Sequence, residues 1–396
     1  MATSLIQLKS EVHNELIQNI LPFWSGRMID EENGGFYGRI NGNGRIISDA
    51  GKGGILNARI LWTFSSAYLQ EKNPLYLEMA NRAKEYILNN FFDPEFGGTF
   101  WCLSNEGNPV DTKKQIYSQA FFIYAFTEHY KATGEESSLK TAIGLFRIIE
   151  KQSFDTELNG YFEAYSRDWI LLEDLRLSEK DANEKKTMNT HLHILEAYTN
   201  LFHVWKDDLL KTQLHNLIVI FIEKIVNQQT RHLDLFFDEN WKSRSEIVSY
   251  GHDIEASWLI DEAARSLGDP ELLSKVQNIC IGIANAACEG SQPDGSLYYE
   301  LDNAKGHLDK DRHWWVQAEA VVGFMNACEL TEDPEWLNRA LKCWNFISEK
   351  LVDRVNGEWF WSVSDTGIQN LSGDKAGFWK CPYHNSRMCL EVNKRF

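Results

Sequence analysis

The sequence predicts an all-α toroid: an (α/α)6 barrel of six inner and six outer helices, one domain over residues 1–396, with short β-hairpins between the helix pairs. Three observations predict it. Gly-aromatic segments recur along the whole chain at near-constant spacing, two amphipathic helical stretches fill the intervals, and no low-complexity or Pro/Ser-rich linker divides the chain.

Taken in order, a first helix covers roughly Ile6–Leu21. The recurring segments are Gly34-Gly35-Phe36-Tyr37, Gly97-Gly98-Thr99-Phe100-Trp101, Asn159-Gly160-Tyr161-Phe162, Leu235-Phe236-Phe237, Asp294-Gly295-Ser296-Leu297-Tyr298 and Asn356-Gly357-Glu358-Trp359-Phe360. With Gly35, Gly98, Gly160, Leu235, Gly295 and Gly357 as markers, the steps are 63, 62, 75, 60 and 62 residues. Most segments pair a turn signal with a short alternating run, the pattern of a hairpin. Helical periodicity follows in pairs, such as Ile55–Gln70 with Leu75–Phe92 and Ile116–Thr133 with Ser137–Gln152. Breaks within the pairs are polar, and Pro74, Pro270 and Pro334 stand at or near the start of a second helix, where the fixed φ and missing donor are tolerated. The first helix is left to pair with the last, which closes a ring; an open solenoid would need polar capping repeats at both ends.

Composition narrows the function. Forty Lys and Arg against fifty-seven Asp and Glu leave a net charge of −17, a field that repels nucleic acid and anionic membrane surfaces. No signal-peptide core and no apolar run of about 20 residues is present, so no membrane span is expected. Seven cysteines without a C-x-x-C pair fit a reducing cytoplasmic compartment. Fourteen Trp, fourteen Tyr and twenty-two Phe exceed what most domains carry; core filling accounts for most, and some suit a groove for flat sugar rings. The absence of G-x-S-x-G, P-loop, G-x-G-x-x-G after a strand, H-E-x-x-H and paired-Cys spacing argues against nucleophilic serine, phosphoryl-transfer, dinucleotide and zinc chemistry.

In such a ring the first turns of the inner helices converge on one cavity. Those helices start near Ile55, Ile116, Thr187, Gly251, Trp314 and Tyr383. Their early polar residues include Arg59, Tyr117, Asn189, His191, His193, His252, Glu255, Glu319, His384 and Arg387. Buried charge is costly unless paired, so the density of these groups marks either a site or a structural ion-pair network. Arg59 reads equally as a clamp for a carboxylate. His191 and His193 are two apart and cannot share a helix face; His193, followed by Glu196 and Ala197, is the inward one. His252 and Glu255 do share a face, so the Glu can orient the imidazole or the two can ligate a metal. Of the adjacent Trp314 and Trp315, at most one can stack on a ligand, and Trp379 flanks the same mouth.

The stretches ENGGFYGRI, ILNARILW, TMNTHLHILEAY, YGHDIEASWL, HWWVQAEAVVGF and WKCPYHNSRMCLEV resemble the N-acylglucosamine 2-epimerase superfamily, most closely its cellobiose 2-epimerases. The resemblance runs in order from about residue 31 to the C-terminus. It implies a cytoplasmic, cofactor-independent enzyme that inverts C2 of the reducing-end sugar of a β-1,4-linked disaccharide; separately, a monomer without a bound metal is expected. It further implies that His252 and His384 are the paired acid/base residues, that Arg59 and His193 hold the O1–O2 region, and that Glu255 assists ring opening or tunes His252. Tyr117, Asp181, Asn189, Trp379 and one of Trp314 and Trp315 are implied as sugar-binding residues. The rival expectations are a GlcNAc 2-epimerase or mannose-type aldose–ketose isomerase on the same fold, a glycoside hydrolase drawing on Glu255, Glu319 and Asp181, and a non-catalytic sugar-binding toroid.

Overall fold

Helices follow one another in pairs along residues 2–395, the part of the chain that the structure, a computed structural model, describes. A first rod consists of α1 (Ala2–Glu15) and α2 (Leu21–Gly26), joined by a π-helical turn at Leu16–Ile20. Then come α3 (Gly54–Glu71) with α4 (Pro74–Asn90), α5 (Ile116–Thr133) with α6 (Glu136–Gln152), and α7 (Met188–Val204) with α8 (Asp208–Ile220). The remaining helices are α9 (Tyr250–Leu267) with α10 (Pro270–Ala287), α11 (Trp314–Thr331) with α12 (Pro334–Phe346), and the closing α13 (Tyr383–Lys394). All six inner starts fall within one residue of the positions read from the sequence.

The odd-numbered helices from α3 to α13 pack in sequence order, and α13 packs back onto α3, so the inner ring is closed. Each is covered outside by its partner, and the chain-initial α1 covers α13. This is an (α/α)6 barrel. The two rings differ for a simple reason. An inner helix is surrounded by protein, and α3 buries an unbroken run from Gly54 to Ala67. An outer helix meets solvent on one side, and α12 buries only a stripe made of Trp336, Leu337, Ala340, Cys343, Trp344 and Phe346. Asn73, Asp207, Asp269 and Asp333 cap outer helices with their side chains.

The hairpins are equivalent around the ring. Each turn is closed by one antiparallel bridge: Ile29 to Phe36, Phe92 to Thr99, Phe154 to Tyr161, Val226 to Leu233, Ser291 to Leu297 and Val352 to Trp359. In the fourth unit the closing residue is Leu233, so the marker Leu235 lies past the true repeat position; without a glycine there, the composition signal slid along the strand. A bridge between Ile40 and Ala376 joins the first hairpin to the last loop.

Under four of the turns lies a buried ion pair. Asp30, Asp93, Asp155 and Asp353 each accept two backbone N–H groups of their own turn. Each also binds a buried lysine that precedes the next inner helix: Lys52 at 2.8 Å, Lys114 at 2.9 Å, Lys186 at 2.7 Å and Lys375 at 2.7 Å. The fourth turn carries Asn227 in place of the Asp, and Val248 stands where the lysine would be. In the fourth turn both charges are absent together, as the desolvation of a lone buried charge demands. In the fifth, Gln292 stands in place of the Asp, and the cation at the lysine position, Arg312, faces Asp365 at 3.8 Å instead. Among the described residues no helix is long and apolar enough to cross a membrane.

Candidate active site

Because the inner helices start at one level, equal positions along them lie at equal depth. The sixth residue is Arg59 on α3, Phe121 on α5, His193 on α7, Glu255 on α9 and Glu319 on α11. Above that layer, toward the mouth, stand Tyr117, His252 and His384, in the first turns of α5, α9 and α13. The barrel axis is therefore lined with charge and imidazole where its walls are aliphatic.

Three histidines are held in one manner. His193 is 2.8 Å through Nδ1 from Glu196, His384 is 2.7 Å through Nδ1 from Glu319, and His252 is 2.8 Å through Nδ1 from the Ser249 hydroxyl. Among the described residues no group bonds any of the three Nε2 atoms. Glu319 already accepts from Trp258 Nε1 at 3.1 Å and from Arg387 at 2.6 Å, so it serves His384 as an acceptor and leaves Nε2 of that ring bare. Trp315 lies between the two bases, its ring 4.8 Å from His252 and 5.6 Å from His384. Gly251 makes room for it, since a Cβ there would run into the indole.

Below the histidines, Arg387 gathers three carboxylates. It donates to Glu255 at 2.5 Å, to Glu319 at 2.6 Å and to Glu196, which also takes the Tyr383 hydroxyl. One cation cannot neutralise three anions in a buried layer, and the least supported carboxyl gives way. Burial pushes the Glu196 carboxyl up, but Arg387 and His193 outweigh it and hold it down at about 2. Glu255, which accepts from Arg387 alone, is pushed up to about 7 by burial and by the charge of Glu319. Burial and the neighbouring His193 bring His252 down to about 3, and burial with the charges of Arg59 and Arg387 holds His384 well below the usual histidine range. Both rings are thus neutral and able to accept a proton at neutral pH.

Arg59 is different. It donates to the Tyr117 hydroxyl at 2.8 Å and to Cys381 Sγ at 3.4 Å, with its guanidinium 4.1 Å over Phe121 and 4.6 Å over Tyr383. Among the described residues no carboxylate lies in ion-pair range of it, which removes the reading of Arg59 as a clamp. A buried cation without an anion is arranged for a negative charge that arrives with the ligand or forms during reaction.

The other sequence candidates divide. His191 turns away, bonded to the Thr187 carbonyl and to Tyr161 N–H, while His193 faces the axis. Trp315 faces the cavity; Trp314 packs against Trp361 and Lys380 in the wall. Trp379 stands beside Tyr117 at 6.1 Å and Trp101 at 6.0 Å. Asn189 is half-buried with an unpaired Oδ1. Asp181 lies in the loop before α7, where it accepts from Ser178 N–H at 2.8 Å. Glu255 was expected to orient His252. It binds Arg387 instead and comes to 3.9 Å of His384, because the carboxyl points down the axis away from its own helix's histidine. Glu255, Glu319 and His384 could offer three ligand atoms to a metal, within 4.8 Å of one another. The Arg387 guanidinium already occupies the inner side of both carboxylates, a fixed cation in the place a metal would take.

Sequence reasoning left Arg387, Glu196, Tyr383 and Ser249 without roles in the site and gave Glu319 one only in the hydrolase reading. The available signal was their spacing: Glu196 and Arg387 each follow a histidine by three, and Glu319 shares the sixth position.

The profile of the N-acylglucosamine 2-epimerase (GlcNAc 2-epimerase) family matches residues 35–386, nearly the whole ring. The chain belongs to the N-acylglucosamine 2-epimerase family. Within this N-acylglucosamine 2-epimerase family it is 55% identical to cellobiose 2-epimerase of Bacteroides fragilis over 385 residues, 97% of this chain and 98% of the relative. It is 40% identical to cellobiose 2-epimerase of Dictyoglomus turgidum over 98% of both chains. The solved cellobiose 2-epimerase of Bacillus thermoamylovorans superposes with a TM-score of 0.94 at 43% identity, covering 98% of this chain and 100% of that one.

Proposed function

We propose that this protein is a carbohydrate 2-epimerase that inverts C2 of the reducing-end sugar of cellobiose and related β-1,4-linked disaccharides. The observation that carries the reading is the pair His252 and His384: both are held at Nδ1, open at Nε2 and in contact with Trp315. Full-length similarity to cellobiose 2-epimerases supports the choice of substrate.

The reaction begins with the closed sugar. His193 Nε2 takes the O1 proton while Glu255, which keeps its proton up to about pH 7, gives one to the ring oxygen, and the ring opens to the aldehyde. The C2 proton is now α to a carbonyl. One of His252 and His384 removes it, and the electron pair moves to O1, giving a cis-enediolate. Arg59, held by Tyr117 and lacking an anion of its own, meets that oxyanion. The other histidine takes a proton from solvent at Nε2 and delivers it to the opposite face of C2, the first releases its proton to solvent, and recyclisation completes the epimer. The roles reverse in the back reaction. No redox or hydride step occurs, so no cofactor is called for.

Trp315 and Trp379 offer the ring faces on which the sugars stack, and Tyr117, Asn189 and Asp181 offer polar contacts nearer the mouth. The reading takes the protein as a monomer acting as a single catalytic domain. Seven free thiols support a cytoplasmic setting.

Incubation with cellobiose in D2O containing EDTA, followed by NMR, tests the reading. Deuterium at C2 of a new glucosyl-mannose is expected. Deuterium at C1 of a ketose would make the protein an isomerase, free glucose would make it a hydrolase, and unchanged cellobiose would overturn the substrate.

A further inference from the structure

Ser249 is the residue just before α9, at the N-cap position. A serine there ordinarily accepts an N–H from the first helical turn, a contact worth about 1 kcal/mol. The matching residue of the preceding inner helix does this: Thr187 accepts from Thr190 N–H at 3.1 Å. Ser249 makes no side-chain cap. Its hydroxyl turns instead to Nδ1 of His252, 2.8 Å away, in a residue only 1% exposed. The other two histidines at the axis have carboxylates in this role; only His252 has a neutral partner.

Resting on the two-base reading above, we propose that Ser249 is the positioning residue for His252, holding the ring so that Nε2 faces C2 of the open sugar. With the proton on Nδ1 donated to Ser249 Oγ, Nε2 is a bare base. After Nε2 has taken the C2 proton, the same Nδ1–H bond persists, so the ring does not turn between abstraction and return. A neutral partner adds no charge to a pocket that already holds three carboxylates. Without the hydroxyl, Nδ1–H is left buried and unpaired and the imidazole is free to flip.

The test compares Ser249→Ala, Ser249→Thr, His252→Ala and Thr187→Ala, using cellobiose and its C2 epimer in D2O. Ser249→Ala is expected to lower kcat roughly tenfold to a hundredfold, with KM within about twofold and thermal unfolding close to wild type. For the epimer whose C2 proton faces His384, it should also raise deuterium exchange with retention relative to exchange with inversion, since abstraction and return on that face need only His384. Ser249→Thr, which keeps the hydroxyl, should restore most of the rate. Thr187→Ala, the true cap, should lose stability and keep its rate per folded molecule.

Wild-type kcat and exchange ratio in Ser249→Ala overturn the proposal. So does equal impairment of the Ala and Thr variants, or a loss of stability matching Thr187→Ala with normal rate per folded molecule. Retained epimerisation by His252→Ala would instead overturn the two-base reading beneath it.

Discussion

His384 Nδ1 and Glu319 Oε1 stand 2.7 Å apart, one helix apart in the inner ring, with Arg387 donating to the same oxygen at 2.6 Å. The carboxylate fixes the proton of His384 on Nδ1 and awaits the imidazolium that forms when Nε2 takes a second. Glu319→Gln keeps the shape but can turn its amide N–H toward the ring and select the wrong tautomer. It should lower kcat by roughly 10²-fold or more, with the far-UV circular dichroism unchanged. A variant keeping half the wild-type rate would remove Glu319 from the catalytic machinery.

Gly251 admits Trp315 against His252. A Cβ at 251 would stand 2.5 Å from the indole, so Gly251→Ala must move Trp315 off both histidines. Gly251 is the second residue of α9, and no side chain of this first turn is a cap that the change would remove. The expected result is an active-site defect, a several-fold rise in KM and fall in kcat, in a protein that still folds. Unchanged kinetics for cellobiose would show that the position of Trp315 does not matter.

Burial lowers His252 to about 3, and it lowers the wall histidine His191 to about 4. Two consequences follow with one sign. In the folded enzyme these rings stay neutral well below pH 6.5, so the acid limb of kcat/KM should fall below pH 5. In the unfolded chain they bind a proton first, so stability falls as the pH drops from about 6.5 toward the folded values. The buried aspartates of the turns add to this at lower pH. Burial raises Asp30, Asp93, Asp155 and Asp353, but their lysines and backbone donors, preceded at Asp93 by Arg167, bring all four below the ordinary carboxylate value, so their stabilisation is lost below about pH 4. Denaturant midpoints at pH 7.5, 5.5 and 4, with kinetics on protein shown to be folded, check both. Half-loss of kcat/KM at pH 6.5 in folded enzyme would contradict the assignment of buried neutral bases.

Lys186 and Asp155 form one of the four buried pairs, and the fourth turn shows the uncharged alternative. Removing one partner strands a charge, so Lys186→Ala should cost roughly 3–5 kcal/mol in urea unfolding. The double variant Asp155→Asn with Lys186→Val copies Asn227 and Val248, and Asn227 still accepts two N–H groups of its turn. It should be more stable than Lys186→Ala alone. If the double is the weaker protein, the pairing rule drawn from the repeat fails.

Much of the site was legible because it is periodic. Arg59, His193, Glu255 and Glu319 recur at one position of helices whose starts are marked by local turn chemistry, and inward placement of His193 over His191 follows from a helix having one face per side. The choice between Trp314 and Trp315 was not legible, because both lie at the start of α11 and only the neighbours tell them apart. Lys380 and Trp361 hold Trp314 in the wall, with His384 6.4 Å away, while Trp315 lies 4.8 Å from His252 and 5.6 Å from His384. Nor could spacing find Ser249, since an N-cap serine followed by a helix has an ordinary reading that the structure sets aside.

The sequence by itself determined the ring of six helix pairs, the depth at which its charges sit and the family it belongs to. Those properties rest on local causes: apolar periodicity, turn glycines, helix-starting prolines and motifs a few residues long. The tertiary structure decided the pairings. Arg387 reaches Glu255 across 132 residues and Glu196 across 191, His252 is held by Ser249 while Glu255 points to Arg387, and Arg59 is left without an anion. Such choices depend on how each helix is rotated about its axis against its neighbours, which the packing of the whole ring sets and no single stretch of sequence contains.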